Sequence, residues 1–444
     1  MTRGQGAAAL IAGHVSAARI GDLPPEVVHE ARRCFLNFVG CAAGGVDHDV
    51  VLAAHRALAP YAGPPVASLI GLGERTDPML AAFVNGTSAS AHSFDDTHAE
   101  AMVHASAPVC AAALAFAQER GSNGGEFLMA VALGVEVTCR LSKAISVAPA
   151  VGDICWYQTG ITAGVGAAVA TGKLLGLDAV QLRNAIGIAV AQASGIRILQ
   201  GSMSMLMLAG HAAQCGMRAS LLAQRGLESP SASIDGQHGF GEIYSTRAHL
   251  PWLTDDLGGR HEILSNAYKA YPCGVVLHPV VDACRDVAAQ SALDPDAIES
   301  ISVRVHPAAL TLVDRPHPSS RTEGQVSLQH WSVMGLIADR LGLAQGMMPV
   351  LQDPGIAALR NKVHLLADEA LRPDEAQVSV RLASGRTLTS PIRRGCTPMT
   401  DSMLTGKFCE QAGVVMPSNI VDNLAAAIWA LSPDSDFTAV GCLL

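Results

Sequence analysis

Ile301-Ser302-Val303-Arg304-Val305 alternates apolar and polar side chains, the period of a strand with one buried face. Its neighbours make it decisive. Everything before it, over residues 1–265, reads as helix after helix. Pro24-Pro25 opens one in which Val27, Val28, Ala31, Phe35, Phe38 and Val39 fall on a helical stripe, and Gly44-Gly45 closes it. Residues 106–118 are Ala-rich behind Pro108, and 126–141 repeat a helical period. Asp178 reads as the N-cap of a helix carrying Leu182, Ala185, Ile186, Ala189 and Val190. Beyond Val305, Val378, Val380 and Leu382 alternate again, and Ser384-Gly385 reads as a hairpin turn into residues 386–392. Helical stretches over 279–290 and 327–341 lie around these strands, and helix pattern returns over 403–431. The expected fold is mostly α with α+β content. A large all-helical bundle domain covers residues 1–265, a smaller inserted α+β domain covers 266–395, and residues 396–444 return to the helical domain.

Composition fits a close-packed bundle. Of 444 residues, 49% are hydrophobic but only 4% aromatic, and 43 are Gly, so small and aliphatic side chains carry the apolar weight. Small residues at contacts let helix axes approach more closely than usual. Only 16% of residues are charged, which excludes a disordered chain. A net charge of −9 without any Lys/Arg run argues against nucleic acid and anionic membrane surfaces as partners. No stretch reaches the ~18–20 apolar residues of a membrane-spanning helix. Met1-Thr2-Arg3-Gly4-Gln5 is followed by an apolar run that His14 and Arg19 interrupt, short of a secretory h-region. Eleven cysteines without a C-x-x-C pair read as reduced thiols, and the expected location is the cytoplasm.

Cofactor motifs fail. Gly164-Val165-Gly166 starts like a dinucleotide fingerprint, but Val169 stands where the third Gly belongs and no strand precedes it. Gly172-Lys173 continues into Leu174 rather than Ser or Thr, so it is no P-loop. Both read as glycines at helix contacts. With no H-E-x-x-H and no zinc-type cysteine spacing, a reaction without metal or cofactor is the default expectation.

Two clusters carry chemistry. The first is His92-Ser93-Phe94-Asp95-Asp96-Thr97-His98 followed by His104, with adjacent carboxylates among histidines in a chain poor in charge. Adjacent acids in a helix point different ways, so one can bond backbone while the other faces a cavity. A capped surface turn is the plainer reading, and Asp95, Asp96, His98 and His104 as metal ligands a further one. The second is Tyr268-Lys269-Ala270-Tyr271-Pro272-Cys273-Gly274 with His278-Pro279 beyond. A Lys between two tyrosines at the domain junction suits a desolvated base or a carboxylate clamp; a Lys lying over aromatic rings is the plainer reading. Trp156-Tyr157 before a helix adds a hydroxyl at a helix N-terminus, and Arg197 or Arg140 are further candidates to clamp a carboxylate.

Together these segments resemble the MmgE/PrpD superfamily over nearly the whole chain. Ala81-Ala82-Phe83-Val84-Asn85-Gly86 leading into Phe94-Asp95-Asp96-Thr97-His98 is similar to its N-G…D-F-D-D-T-H block, and His104-Ala105-Ser106-Ala107-Pro108-Val109 to its H-P-S-x-P-V helix start. Gly172-Lys173-Leu174-Leu175-Gly176-Leu177 and Gly239-Phe240-Gly241 also fit. Lys269-Ala270-Tyr271-Pro272-Cys273 with His278-Pro279 resembles K-x-Y-P-C…H-P, and Arg394-Gly395 through Pro398-Met399 to Lys407-Phe408 resembles K-G…P-L…K-F. The resemblance implies a cofactor-free enzyme, a homodimer, with its site between the two domains and a small di- or tricarboxylate as substrate. It departs in four places. Ser93 stands where dehydratase- and decarboxylase-like members have Asp, and Tyr157 where they have His. Met205 and Leu208 replace the Lys and His of G-T-M-T-K-x-L-H.

A reaction without a leaving group suits the reduced set best. The expectation is an epimerase that inverts a carbon α to a carboxylate in an amino-dicarboxylate such as iminodisuccinate. Lys269, His104 and Tyr157 would be catalytic, and Asp95, Thr97, Ser93, Met205, Tyr271 and His278 would bind substrate. The alternative is a hydro-lyase or decarboxylase of the 2-methylcitrate dehydratase or cis-aconitate decarboxylase type.

Overall fold

The computed structural model describes residues 6–152 and 155–444. Residues 1–5, on which the leader argument partly rests, lie outside the described residues. The fold is mostly α with some α+β content, and two separate hydrophobic cores organise it. The first is built by helices that begin and end where local chemistry dictates. Helix Pro25–Gly45 has Pro at its first turn. Helix Ser106–Arg120 stops at left-handed Gly121, φ 66°. Helix Gly124–Ser146 starts on a reciprocal Asn123–Glu126 capping box. The Asp178 carboxylate accepts from the Val180 and Gln181 amides to start helix Ala179–Val190.

Small residues let these helices touch backbone to backbone. Helix Gln158–Leu174 runs against both Gly124–Ser146 and Leu208–Gln224. A Cβ on Gly134 would lie 2.7 Å from the Gly166 carbonyl, and one on Gly86 would lie 2.9 Å from Gly210 Cα. Only glycine permits either crossing. The Gly164-Val165-Gly166 near-motif is therefore packing.

The second core starts at Cys273 and ends at Leu388. Its main sheet runs Thr387–Thr389, Glu375–Leu382, Ile298–Val305, Val363–Ala367 in spatial order, and a short strand Arg393–Arg394 pairs with Glu375–Leu382. The pairings are antiparallel except the last of that order, where Ile301–Val305 lies parallel to Val363–Ala367. Helix His278–Gln290 packs on Glu375–Leu382 and on helix Leu328–Ile337. Left-handed Gly385, φ 82°, makes the expected hairpin turn. The returning strand is shorter than expected: Pro391 brings no backbone N–H, and pairing ends at Thr389. The helical return over 403–431 is two helices, Asp401–Ala412 and Ser418–Trp429, separated by a turn that ends at Pro417. Both pack on helix Pro25–Gly45.

Among the described residues, none of the cysteines forms a disulfide. Among the described residues, no helix is long and apolar enough to cross a membrane.

Candidate functional site

A two-residue ladder brings distant parts of the chain together, with Asp96 opposite Tyr268, itself part of the first core, and Thr97 opposite Ala267. Asp96 opens a two-residue strand and Asp95 lies in the bend before it, not on a helix as the sequence suggested. The two carboxylates still take different partners. Asp96 turns to helix Ser106–Arg120, where its carboxylate accepts from the Ser106 amide at 3.1 Å and the Ser106 hydroxyl at 2.6 Å. Asp95 turns to the other side and meets Lys269 Nζ at 2.6 Å. The Lys269 amide also donates to the Asp95 carbonyl at 3.2 Å, so main chain and side chains fix one another. Ser93, held at φ 52°, brings its hydroxyl 3.5 Å from the same ammonium.

Lys269 is only 1% exposed and Asp95 3%. Burial alone would raise the Asp95 pKa, but the Lys269 ammonium, its hydrogen bond and nearby His104 hold the carboxyl below its ordinary range. Asp96, buried and next to the Asp95 charge, is pushed up.

His104 is oriented by two bonds. Its amide donates to Thr159 Oγ1 at 3.0 Å, and its Nδ1 lies 2.8 Å from the Asp96 carbonyl. A carbonyl only accepts, so Nδ1 carries the proton and Nε2 keeps a lone pair. Burial first and Lys269 second lower its pKa, which keeps the ring neutral near pH 7. Tyr157, the N-cap of helix Gln158–Leu174, sits 6.3 Å from His104 between ring centroids. Burial and the Asp95 charge raise the Tyr157 pKa, so its hydroxyl stays protonated. Arg197 donates to Gln158 Oε1 at 2.9 Å, while its buried Nε has no acceptor.

These groups share a cavity of about 790 Å³. Ser93, Asp95, Thr97, His104, Tyr157, Met205 and Lys269 all line it. Behind it, fully buried Lys407 donates to the Phe94 carbonyl at 2.6 Å and to Asn37 Oδ1 at 2.8 Å. Its ammonium also sits 4.3 Å from the Phe94 ring. Burial pulls its pKa down to about 8.

Two expected substrate contacts do not line the cavity. The Tyr271 hydroxyl donates to Asp282 at 2.6 Å, and its ring packs 5.2 Å from that of His278. His278 is buried at the head of helix His278–Gln290, its pKa lowered to about 3 by burial and the Lys269 charge. Cys396, 3.8 Å from its Nδ1, lines the cavity instead. Arg140 is no clamp: it is buried, bonded to Glu136 at 2.6 Å and to the Asp255 and Arg260 carbonyls. Nor do the four residues of the metal reading converge. Asp95 is taken by Lys269, Asp96 by Ser106, and His98 by Glu262 at 3.2 Å.

Sequence reasoning missed the valines of the wall and the rim. Val275 opens a single 3-10 turn, Val275–Leu277, and Val326 sits in a turn, both too short to show a period, and Arg372, Asp374 and Arg394 lie at the cavity mouth. The Arg394-Gly395 match to the family pattern was the one pointer to that region.

The set is equipped for proton transfer at carbon. A neutral imidazole with a free lone pair can accept a proton, a phenol can donate one, and the ammonium can stabilise charge developing on a substrate carboxylate.

Comparison with known proteins agrees with this layout. The MmgE/PrpD N-terminal domain model matches residues 9–253, and the MmgE/PrpD C-terminal domain model matches residues 271–431. The chain is 26% identical to the cis-aconitate decarboxylase of Homo sapiens, across 96% of this chain and 92% of that protein. It is likewise 26% identical to that of Mus musculus, across 98% and 92%. The cis-aconitate decarboxylase of Aspergillus terreus is 24% identical, across 94% and 91%.

Proposed function

The chain belongs to the MmgE/PrpD family, and on that premise we propose that it is an enzyme that moves a proton at a carbon beside a carboxylate of a small di- or tricarboxylate, with decarboxylation as the leading reaction. The observation that carries the proton chemistry is the convergence of His104, Tyr157 and the Lys269–Asp95 pair on one cavity. The similarity to cis-aconitate decarboxylases along nearly the full length supports the choice of reaction.

In that reaction the electron pair of the breaking C–C bond shifts through the neighbouring double bond, and carbon dioxide leaves. The pair arrives on a carbon beside a second carboxylate, and that carbon takes a proton. Lys269 stands to neutralise the charge developing on this carboxylate, with Asp95 fixing the ammonium in place. Tyr157 or Lys269 supplies the proton. The His104 Nε2 lone pair then takes a proton from solvent and hands it on to the spent donor.

One observation favours the epimerase as a second reading. His104 Nε2 is already unprotonated while Tyr157 keeps its proton, an acceptor and a donor beside the same space. Met205 also brings no cation to the wall. Inversion of an amino-dicarboxylate such as iminodisuccinate needs that acceptor and donor and expels nothing.

One experiment separates the readings. The enzyme is incubated in D₂O with cis-aconitate or with iminodisuccinate and followed by NMR. Decarboxylation releases carbon dioxide and leaves deuterium beside a product carboxylate. Inversion puts deuterium at Cα without carbon dioxide. Neither outcome with any carboxylate of the class overturns the proposal, and full turnover in both Lys269→Ala and His104→Ala overturns the site.

A further inference from the structure

The cavity is lined by two kinds of group. Lys269, Asp95, His104, Tyr157 and Arg197 bring charge and hydrogen bonds. Another part of the wall is apolar, with Met205 and Leu206 from the first core's side and Val275, Val276 and Val326 from the second. The wall is continuous across the two halves, because Val326 Cγ2 lies 3.9 Å from where a side chain on Gly201 would begin, and Val326 Cγ1 is 3.9 Å from the same point on Gly274. It is also held in place, since Ser90 Oγ donates to the Leu206 carbonyl at 2.6 Å.

The charged groups at the mouth are already occupied. Asp374 receives both Arg394 at 2.9 Å and Arg372 at 3.3 Å, and Glu100 is held by Lys143 at 3.0 Å. A carboxylate laid against these apolar side chains would lose water and gain no hydrogen bond from them, whereas a hydrocarbon group would gain from the same burial.

We propose that the site selects a dicarboxylate bearing an apolar arm over a tricarboxylate, with the carboxylates at the Lys269 end and the arm along Met205, Leu206 and Val326. This rests on the carboxylate chemistry proposed above and narrows its substrate class. Relative to a citrate-like skeleton, the third carboxylate is replaced by an alkyl group.

Tricarballylate and butylsuccinate form a matched pair of probes, sharing a succinate unit and differing in a carboxymethyl against a butyl group. Calorimetric titration of the full chain should show butylsuccinate binding at least tenfold more tightly. Met205→Lys, which adds a cation to the half-exposed edge of the wall, should erase or reverse that preference, and Met205→Leu should keep it. Equal or tighter binding of tricarballylate by the unsubstituted protein overturns the inference, as does binding of neither probe. So does a preference that Met205→Lys leaves unchanged. The deuterium experiment reads separately, so proton exchange combined with a tricarboxylate preference would reject the apolar arm and retain the proton chemistry.

Discussion

Two buried charges, Lys269 and Asp95, meet at 2.6 Å with almost no water around them. Such a pair adds little net stability relative to apolar residues, but removing one member strands the other. Asp95→Ala should therefore lower the unfolding free energy by about 3–5 kcal/mol in urea titration, and should cut turnover at the same time. The sign of the pH effect follows from the depressed Asp95 pKa. Its contribution is complete above the unfolded carboxyl range near 3.9 and is lost as pH falls through the lower folded value. His104 gives the matching kinetic expectation. Because burial and Lys269 hold its pKa below 6.5, the acid limb of kcat/KM should lie below that pH. His104→Gln should lower kcat by about 10²–10⁴-fold and remove that limb; an unchanged limb would assign it to another group.

Helix contacts set the scale above. Gly166, mid-way along helix Gln158–Leu174, faces Thr138 and Gly134 so closely that any Cβ overlaps them. Gly406, inside helix Asp401–Ala412, is exposed and would meet nothing within 4 Å. The same substitution should then act in opposite directions. Gly166→Ala should destabilise by about 1–3 kcal/mol through overpacking, and Gly406→Ala should stabilise by about 0.5–1 kcal/mol through helix propensity. Thermal and urea unfolding of the two variants side by side check both signs. These contacts also show what the sequence discloses about elements. Ile301-Ser302-Val303-Arg304-Val305 and residues 378–382 alternate cleanly because one face is buried, so they were legible as strands. Val363–Ala367 was not, because Leu365-Leu366 breaks the alternation in a strand that is mostly exposed. The acid pair was legible as chemistry but misplaced on a helix, since two residues of strand are too few to show a period. Tyr271 and His278 follow closely on Lys269 in sequence, yet the Tyr271 bond to Asp282 and the burial of the His278 imidazole keep them off the cavity.

At the scale of the molecule, the C-terminal helices Asp401–Ala412 and Ser418–Trp429 return to the chain's beginning, and Lys407 shows how the return supports the site. Its helix Asp401–Ala412 packs on Pro25–Gly45, and its ammonium reaches Asn37 on that helix and Phe94, the residue before Asp95. The sequence carried only the Lys407-Phe408 match to the family pattern there; that this Lys is fully buried depends on contacts some 300 residues away and has no local signal. Burial sets its pH behaviour. With a folded pKa of about 8 against ~10.4 unfolded, the unfolded chain holds the proton and the folded chain has released it between those values. Stability must then rise with pH across that window, by up to ~1.4 kcal/mol per pH unit from this group. Lys407→Met keeps most of the volume and deletes the titration. The unfolding free energy of the unsubstituted protein minus that of Lys407→Met should grow more positive from pH 8 to pH 10, measured by urea titration at each pH, because subtraction cancels every other group that titrates there. A flat difference would mean that the Phe94 and Asn37 oxygens stabilise the charged form enough to offset burial, and Lys407 would then remain a permanent cation behind Asp95.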